Sequence, residues 1–406
     1  MANIHDYLRW RGDLAFDERA FNDCDNLILS ALIYLDFTGI VPGETEEGSI
    51  TLRKACRKLL AKSGGNVTPY VRSLAKIDTL FVDLIGNSRR FGDAQLRAYS
   101  DIVNKDRALQ FAAMQIDLPH EGSFIAFRGT DTTLVGWREN LMISYQITAA
   151  QEEAARYLER AIKRTADTHA PIRVGGHSKG GNLAEYAAAC CPETLREHIV
   201  RVYSNDGPGM APEVMPQSPR QILKDRLRLI VPTFSVVGML FARPKEQRII
   251  VASSASGIEQ HDITTWKVLP TGVKEERELL PDCVGLNAVI ASWAKEIPLN
   301  EREHVTLDVF DALQTGGALT FDQIASSPEG VQQVIRALGA TDERTRDIAM
   351  ELVQRAASSG VDAVRNAALR AFEDASRRLR ESRARRAGTL HRKKGKSDLK
   401  VYIEPS

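Results

Sequence analysis

The 406-residue chain has no run of about eighteen apolar residues, the length a helix needs to cross a bilayer. Its opening, Met1-Ala2-Asn3-Ile4-His5-Asp6, lacks the basic-then-apolar pattern of a secretory leader, so a cytoplasmic location is expected. Cysteine is sparse. The five positions 24, 56, 190, 191 and 283 are odd in number and lack metal-ligand spacing, which argues against a disulfide framework or a zinc site. Neighbours 190 and 191 would point in different directions on a helix, and buried reduced thiols are expected. No repeat period is visible, and nothing calls for a metal or an organic cofactor.

What is present is a long chain with enough apolar content, 43% and four Trp, for a sizeable core. The net charge of +1 hides an asymmetry: residues 377–396 hold ten Lys or Arg and one acid, Glu381, a local +9 that leaves −8 for the rest. A basic run of this kind suggests contact with an anionic membrane, the inner leaflet, or with nucleic acid, so the protein could sit at the periphery of the inner membrane face. The alternative is a solvated, idle tail.

The most informative stretch is Val174-Gly175-Gly176-His177-Ser178-Lys179-Gly180-Gly181-Asn182. A serine in Gly-x-Ser-x-Gly, between the β-branched run 171–174 and a helical segment from Asn182 to Cys190, has the pattern of a strand-turn-helix nucleophile elbow. The competing reading is a glycine-rich turn that holds an anion on its amides.

The flanks supply a context. Residues 1–110 read as an N-terminal helical region, with helices after a cap at Asn22 or Asp23, around Leu52 to Lys62 and around Val71 to Leu84. The segment Asp6 to Leu14 mixes aromatics with charges and suggests a short strand or hairpin. From Ala112 the pattern turns β-rich: the turn residues between 113–117 and 123–127 predict a hairpin, Gln151 to Ala166 a crossover helix, and 199–203, 227–231 and 248–252 further strands. Strands alternating with helices over 111–270 predict an α/β core, a mainly parallel sheet flanked by helices. Beyond Pro270 the strands are expected to stop, leaving a helical appendage over 271–376 and the basic tail over 377–406.

Acyl transfer by Ser178 would need a base, a group that orients the base, and donors for the developing oxyanion. In the elbow topology the histidine follows the last strand, and His261 is the one of His198, His261, His304 and His391 that sits in such a loop. His177 reads as a packed elbow residue. The strand ending in Phe127-Arg128-Gly129-Thr130 turns back at the sheet edge where ligands bind, which makes Thr130 an oxyanion candidate or a tight turn.

Together, Phe127-Arg128-Gly129-Thr130, Gly136-Trp137, Gly176-His177-Ser178-Lys179-Gly180-Gly181-Asn182, Asn205-Asp206-Gly207-Pro208-Gly209, Gln260-His261-Asp262 and the Trp10-Arg11-Gly12-Asp13 opening resemble a poorly characterised bacterial family of lipase-like α/β-hydrolases, itself similar to the class 3, fungal-type lipases. The resemblance covers about residues 5 to 315. It implies an α/β-hydrolase fold, a serine esterase acting on a small-molecule or lipid ester, and an oxyanion hole from Thr130 and the amide of Lys179. One departure stands out: the Asp-x-Val-Pro acid of those lipases is replaced by Ser235-Val236-Val237-Gly238. Asp206, one strand earlier, is the expected substitute. Glu259, or no acid at all, remains open, and Asp262 is a poor orienter because neighbouring side chains diverge. A fold of this kind used as a binding or scaffold module is the other functional class.

Overall fold

Capping chemistry starts the first helices. Asn3 and Asn22 each accept a backbone N–H, and the acids three residues on, Asp6 and Asp25, bond back to the cap's own N–H. Helix α1 thus spans Ile4–Arg11 and α2 spans Asp23–Leu32. Helix α3, Leu52–Lys62, is capped by Thr51, and α4, Thr79–Asn87, by Asp78. This computed structural model describes residues 2–284 apart from 74, 105–108, 131–141, 144–145, 166–169, 213, 216, 241–247 and 282.

Two local expectations are overturned. The stretch expected as a strand or hairpin is α1, which buries Ile4, Tyr7 and Leu8 at helical spacing behind its capping box. The third helix begins at Thr79 instead of Val71, where the Asp78 carboxylate takes the Phe81 N–H.

Helix α2 is buried from Cys24 to Leu32, and its one buried carboxylate needs a partner. Arg90 supplies it with two bonds, Nε at 2.7 Å and Nη2 at 2.6 Å from Asp25. Its remaining donors go to the carbonyls of Leu14, Arg19 and Ala20, so the guanidinium is saturated. Burial pushes the Asp25 carboxyl upward, and Arg90 opposes that. Because removing one partner strands the other charge in the core, Arg90→Ala should lower unfolding free energy by about 3–5 kcal/mol. Urea denaturation checks this; a loss below about 1 kcal/mol, the scale of an exposed pair, would refute the assignment.

The strands are β1 (Ile50–Thr51), β2 (Gln95–Asn104), β3 (Leu109–Leu118), β4 (Gly122–Phe127), β5 (Ile172–His177), β6 (Ile199–Asn205), β7 (Leu227–Pro232), β8 (Arg248–Val251), β9 (Val268–Leu269), β10 (Gly272–Val273) and β11 (Glu275–Glu276). Among the described residues one sheet runs in the order β1-β2-β3-β4-β5-β6-β7-β8-β11. Strands β1 to β4 are antiparallel, β4 to β8 parallel, and β11 lies antiparallel on β8. The sheet is therefore mixed, with a parallel centre. It begins well before residue 111, and strands continue past Pro270, both corrections to the sequence reading. Strand β2 escaped it because its polar residues blur the alternation; β11 is two glutamates joined to an edge.

Helix α5 (Ala149–Thr165) crosses from β4 to β5, and α6 (Lys179–Cys190) from β5 to β6. The period of two on β4 divides the core. Phe124 and Ala126 pack with α1 to α4, while Ile125 and Phe127 pack with α5 and α6. This is an α/β fold with helices on both sheet faces.

Of the cysteines, 24, 56, 191 and 283 are buried and Cys190 is exposed. No helix among the described residues is long and apolar enough to cross a membrane. By contacts the chain divides into Met1–Thr306 and Leu307–Ser406. The expected appendage from residue 285 onward, and the basic tail, lie outside the described residues.

Candidate active site

The carboxyl ends of the parallel strands carry the site. Strand β5 ends at His177, and α6 starts at Lys179, leaving Ser178 alone at the corner with φ 57° and ψ −128°. Such a conformation is costly for a residue with a side chain and persists only where the surroundings impose it. They do so here: the Ser178 N–H donates to the Asn205 carbonyl at 2.9 Å, and the Ser178 carbonyl accepts from Gly181 at 2.9 Å. The corner is also tight. A Cβ at Gly180 would lie 2.2 Å from the Phe127 carbonyl oxygen, so only glycine lets α6 start this close to β4.

Strand β6 ends at Asn205, and Asp206 follows at φ 50°, its N–H bonded to the Ile230 carbonyl at 2.7 Å. The carboxylate is fully buried and replaces hydration with hydrogen bonds. Oδ1 accepts from Ser235 Oγ at 2.5 Å and from the Gly238 N–H at 3.1 Å. Oδ2 lies 2.6 Å from His261 Nδ1, and His261 Nε2 lies 3.0 Å from Ser178 Oγ. An ionised carboxylate can only accept, so Nδ1 carries the ring proton and the Nε2 lone pair faces the serine hydroxyl.

His261 comes from the turn Gly257–His261 after β8. The turn is pinned from two sides. Trp266 Nε1 donates to the Gln260 carbonyl at 2.7 Å, and the Gln260 side-chain oxygen accepts from Thr233 Oγ1 and the Phe234 N–H, both at 2.9 Å.

Glu259 is exposed. The Asp262 carboxylate is taken up by the Thr264 N–H, the Thr264 hydroxyl and the Lys76 N–H. His198 lies at the opposite end of the sheet, its carbonyl accepting the Ile172 N–H. His304 and His391 are outside the described residues. His177 is buried in contact with Tyr34 and the His261 backbone. Lys179 is buried, with its ammonium donating to the Gln110 carbonyl at 2.7 Å; the helix start therefore clamps β3 through this side chain. Thr130 is buried, three residues past the end of β4. Gly136 and Trp137 lie outside the described residues.

Several supports went unseen in the sequence. Asn26 and Asn205 exchange side-chain amide bonds at 2.8 and 3.0 Å, Ser30 donates to Asn26, and Asn205 Nδ2 also reaches the Gly176 carbonyl. Asn182 receives the Gln151 amide at 2.9 Å and donates to the Pro208 carbonyl at 2.9 Å, tying α5, α6 and the Asp206 loop together. The signal for Asn26, Ser30 and Tyr34 was their spacing of four: polar groups on one helical stripe inside an otherwise apolar run.

A profile of the Mbeg1-like family matches residues 85–311, a segment that takes in Ser178, Asp206 and His261. No curated protein matches. Among solved structures the chain is similar to the crystal structure of Lip2 lipase from Yarrowia lipolytica, at 13% identity and a TM-score of 0.28, over 59% of this chain and 89% of that one. The profile covers more than half of the 406 residues, and the chain belongs to the Mbeg1-like family, a lipase-like family.

Proposed function

We propose that the chain is a serine hydrolase of the α/β-hydrolase fold that cleaves carboxylic esters, lipid esters among them, without metal or organic cofactor. The observation that carries this reading is the unbroken series Ser178 Oγ, His261 Nε2, His261 Nδ1, Asp206 Oδ2, with gaps of 3.0 and 2.6 Å. In it, Ser178 attacks the ester carbonyl while His261 takes the hydroxyl proton, and the same proton then goes to the departing alcohol. Water repeats the cycle on the acyl-enzyme. Asp206 holds the ring tautomer and balances the imidazolium charge. The amides of Thr130 and Lys179 are the proposed donors to the oxyanion, each worth about 10²- to 10³-fold in turnover.

The scaffold alternative has less support, since a binding module has no need for a strained serine in contact with a histidine–carboxylate pair. Labelling with a fluorophosphonate probe and mapping the modified residue tests the choice. Adduct on Ser178 together with hydrolysis of short-chain p-nitrophenyl esters is expected; neither adduct nor turnover would leave the scaffold reading.

The basic segment 377–396 is proposed to bring the protein to an anionic membrane surface, with nucleic acid as the other candidate. Each cation adds about 1 kcal/mol near such a bilayer, screened by salt. Truncation after Ala375 should abolish co-sedimentation with anionic vesicles and leave ester turnover unchanged. Equal sedimentation with and without the tail would reject the membrane role.

A further inference from the structure

Tyr34 lies just beyond the end of α2 and carries its phenol between three segments of the site. Its hydroxyl is 2.9 Å from His177 Nδ1 and 3.3 Å from the His177 carbonyl oxygen. A Cβ at Gly129 would come within 2.0 Å of the same hydroxyl, so the turn after β4 closes directly over it. On the far side of the imidazole, His177 Nε2 is 2.7 Å from the carbonyl oxygen of His261. The two histidine rings lie 4.6 Å apart, tilted by 37°, and Trp266 stands edge-on to His177 at 6.1 Å.

Proton positions follow from what each partner can do. The His261 carbonyl oxygen only accepts, so Nε2 of His177 must carry the hydrogen. The lone pair of the neutral ring is then on Nδ1, where it accepts the Tyr34 O–H. The titratable groups facing this pair are Tyr34 and His261, with Arg128 and Asp262 acting on the phenol. Burial, and then the neighbouring His261, holds the His177 pKa well below the ordinary histidine range.

The geometry points to His177 and Tyr34 as a positioning pair: the Tyr34 hydroxyl fixes His177 as the neutral Nε2–H tautomer, and that N–H holds the His261 backbone so that its ring stays on Ser178 and Asp206. Its catalytic consequence rests on the hydrolase reading; the tautomer and the hydrogen bond do not. If His177 flips to the other tautomer, its Nε2 lone pair faces the carbonyl lone pairs and the loop retreats. A retreat of about 1 Å is enough to cost about 10²-fold in rate. Neutrality matters equally. His261 gains a positive charge when it takes the serine proton, and a charged ring stacked beside it would oppose that step.

The test combines ¹⁵N-histidine NMR with kinetics on the full chain. In the wild type, His177 should show the Nε2–H tautomer and no titration between about pH 5 and 8, the range in which an unperturbed histidine changes charge. Tyr34→Phe should give mixed tautomers and a kcat lowered about 10-fold, and His177→Phe a kcat lowered about 10²-fold, with KM within about twofold in both. His177→Gln, whose amide can still reach the carbonyl, should recover most of the loss. The proposal is overturned by an Nδ1–H tautomer in the wild type, by titration of His177 in that range, by unchanged kcat in folded Tyr34→Phe, or by His177→Gln no better than His177→Phe. Should His177→Phe fail to fold, Tyr34→Phe, which removes one oxygen, decides the kinetic half. Absence of wild-type turnover would remove the hydrolase reading and with it the catalytic consequence, while the NMR result still decides the tautomer.

Discussion

Replacing Ser178 by alanine is expected to abolish fluorophosphonate labelling and to lower ester turnover by on the order of 10⁶-fold, the scale on which a nucleophile of a coupled triad acts. The melting temperature should stay near that of the wild type. Alanine keeps the Cβ that already occupies the strained corner, and the bonds that impose the corner are made by main-chain atoms, the Ser178 N–H with Asn205 and the Ser178 carbonyl with Gly181. The side-chain contact removed is with His261 Nε2. Because stability and chemistry separate in this way, a loss of turnover cannot be mistaken for unfolding. Turnover that survives in the folded variant would sink the hydrolase reading.

Asp206→Asn is the second large effect, with turnover reduced by about 10⁴-fold at little change in stability. In the variant, the amide oxygen keeps the acceptor role toward Ser235 Oγ and the Gly238 N–H, since both of those are donors. That leaves the amide N–H₂ facing His261 Nδ1. Nδ1 must then accept, the ring proton moves to Nε2, and the base presents a hydrogen to Ser178 where it should present a lone pair. The fall should appear in kcat and in kcat/KM alike, because the interaction lost is one made in the transition state. Near-normal turnover would show instead that Asp206 only closes the turn after β6.

The proposed acid is also where the chain departs from the class 3 lipase pattern. Ser235 and Gly238 occupy the stretch that carries the acid in those lipases, and here both donate to Asp206. Its place at the end of the strand after the elbow helix suggested Asp206 but could not exclude Glu259. The difference lies in direction: Glu259 points to solvent from its turn, whereas Asp206, at positive φ, turns its side chain back under His261.

Features governed by local rules could be read directly from the residues. Gly-x-Ser-x-Gly between a β-branched run and an alanine-rich run can hardly be anything but a sharp strand-to-helix turn, since only glycine permits the approach of Gly180 to Phe127. Helices α2 and α3, the hairpin of β3 and β4 and the parallel strands β5 to β8 were legible for the same reason, since turn, cap and period are encoded within a few residues, whereas α1 and the start of α4 were misread although their caps are local. Local signals failed where partners are distant. The two-residue strand β11 exists only because β8 offers an unpaired edge, and β2 is a strand because β3 pairs with it through a bulge between Arg97 and Ser100. The contacts of the site come from the fold. Asn26 meets Asn205 across 179 residues, Tyr34 meets His177 across 143, and Asp206 meets His261 across 55. Hydrogen bonds are made over about 3 Å whatever the separation along the chain, so no pattern within one segment could have paired them; the sheet, by lining up the carboxyl ends of β4 to β8, did so.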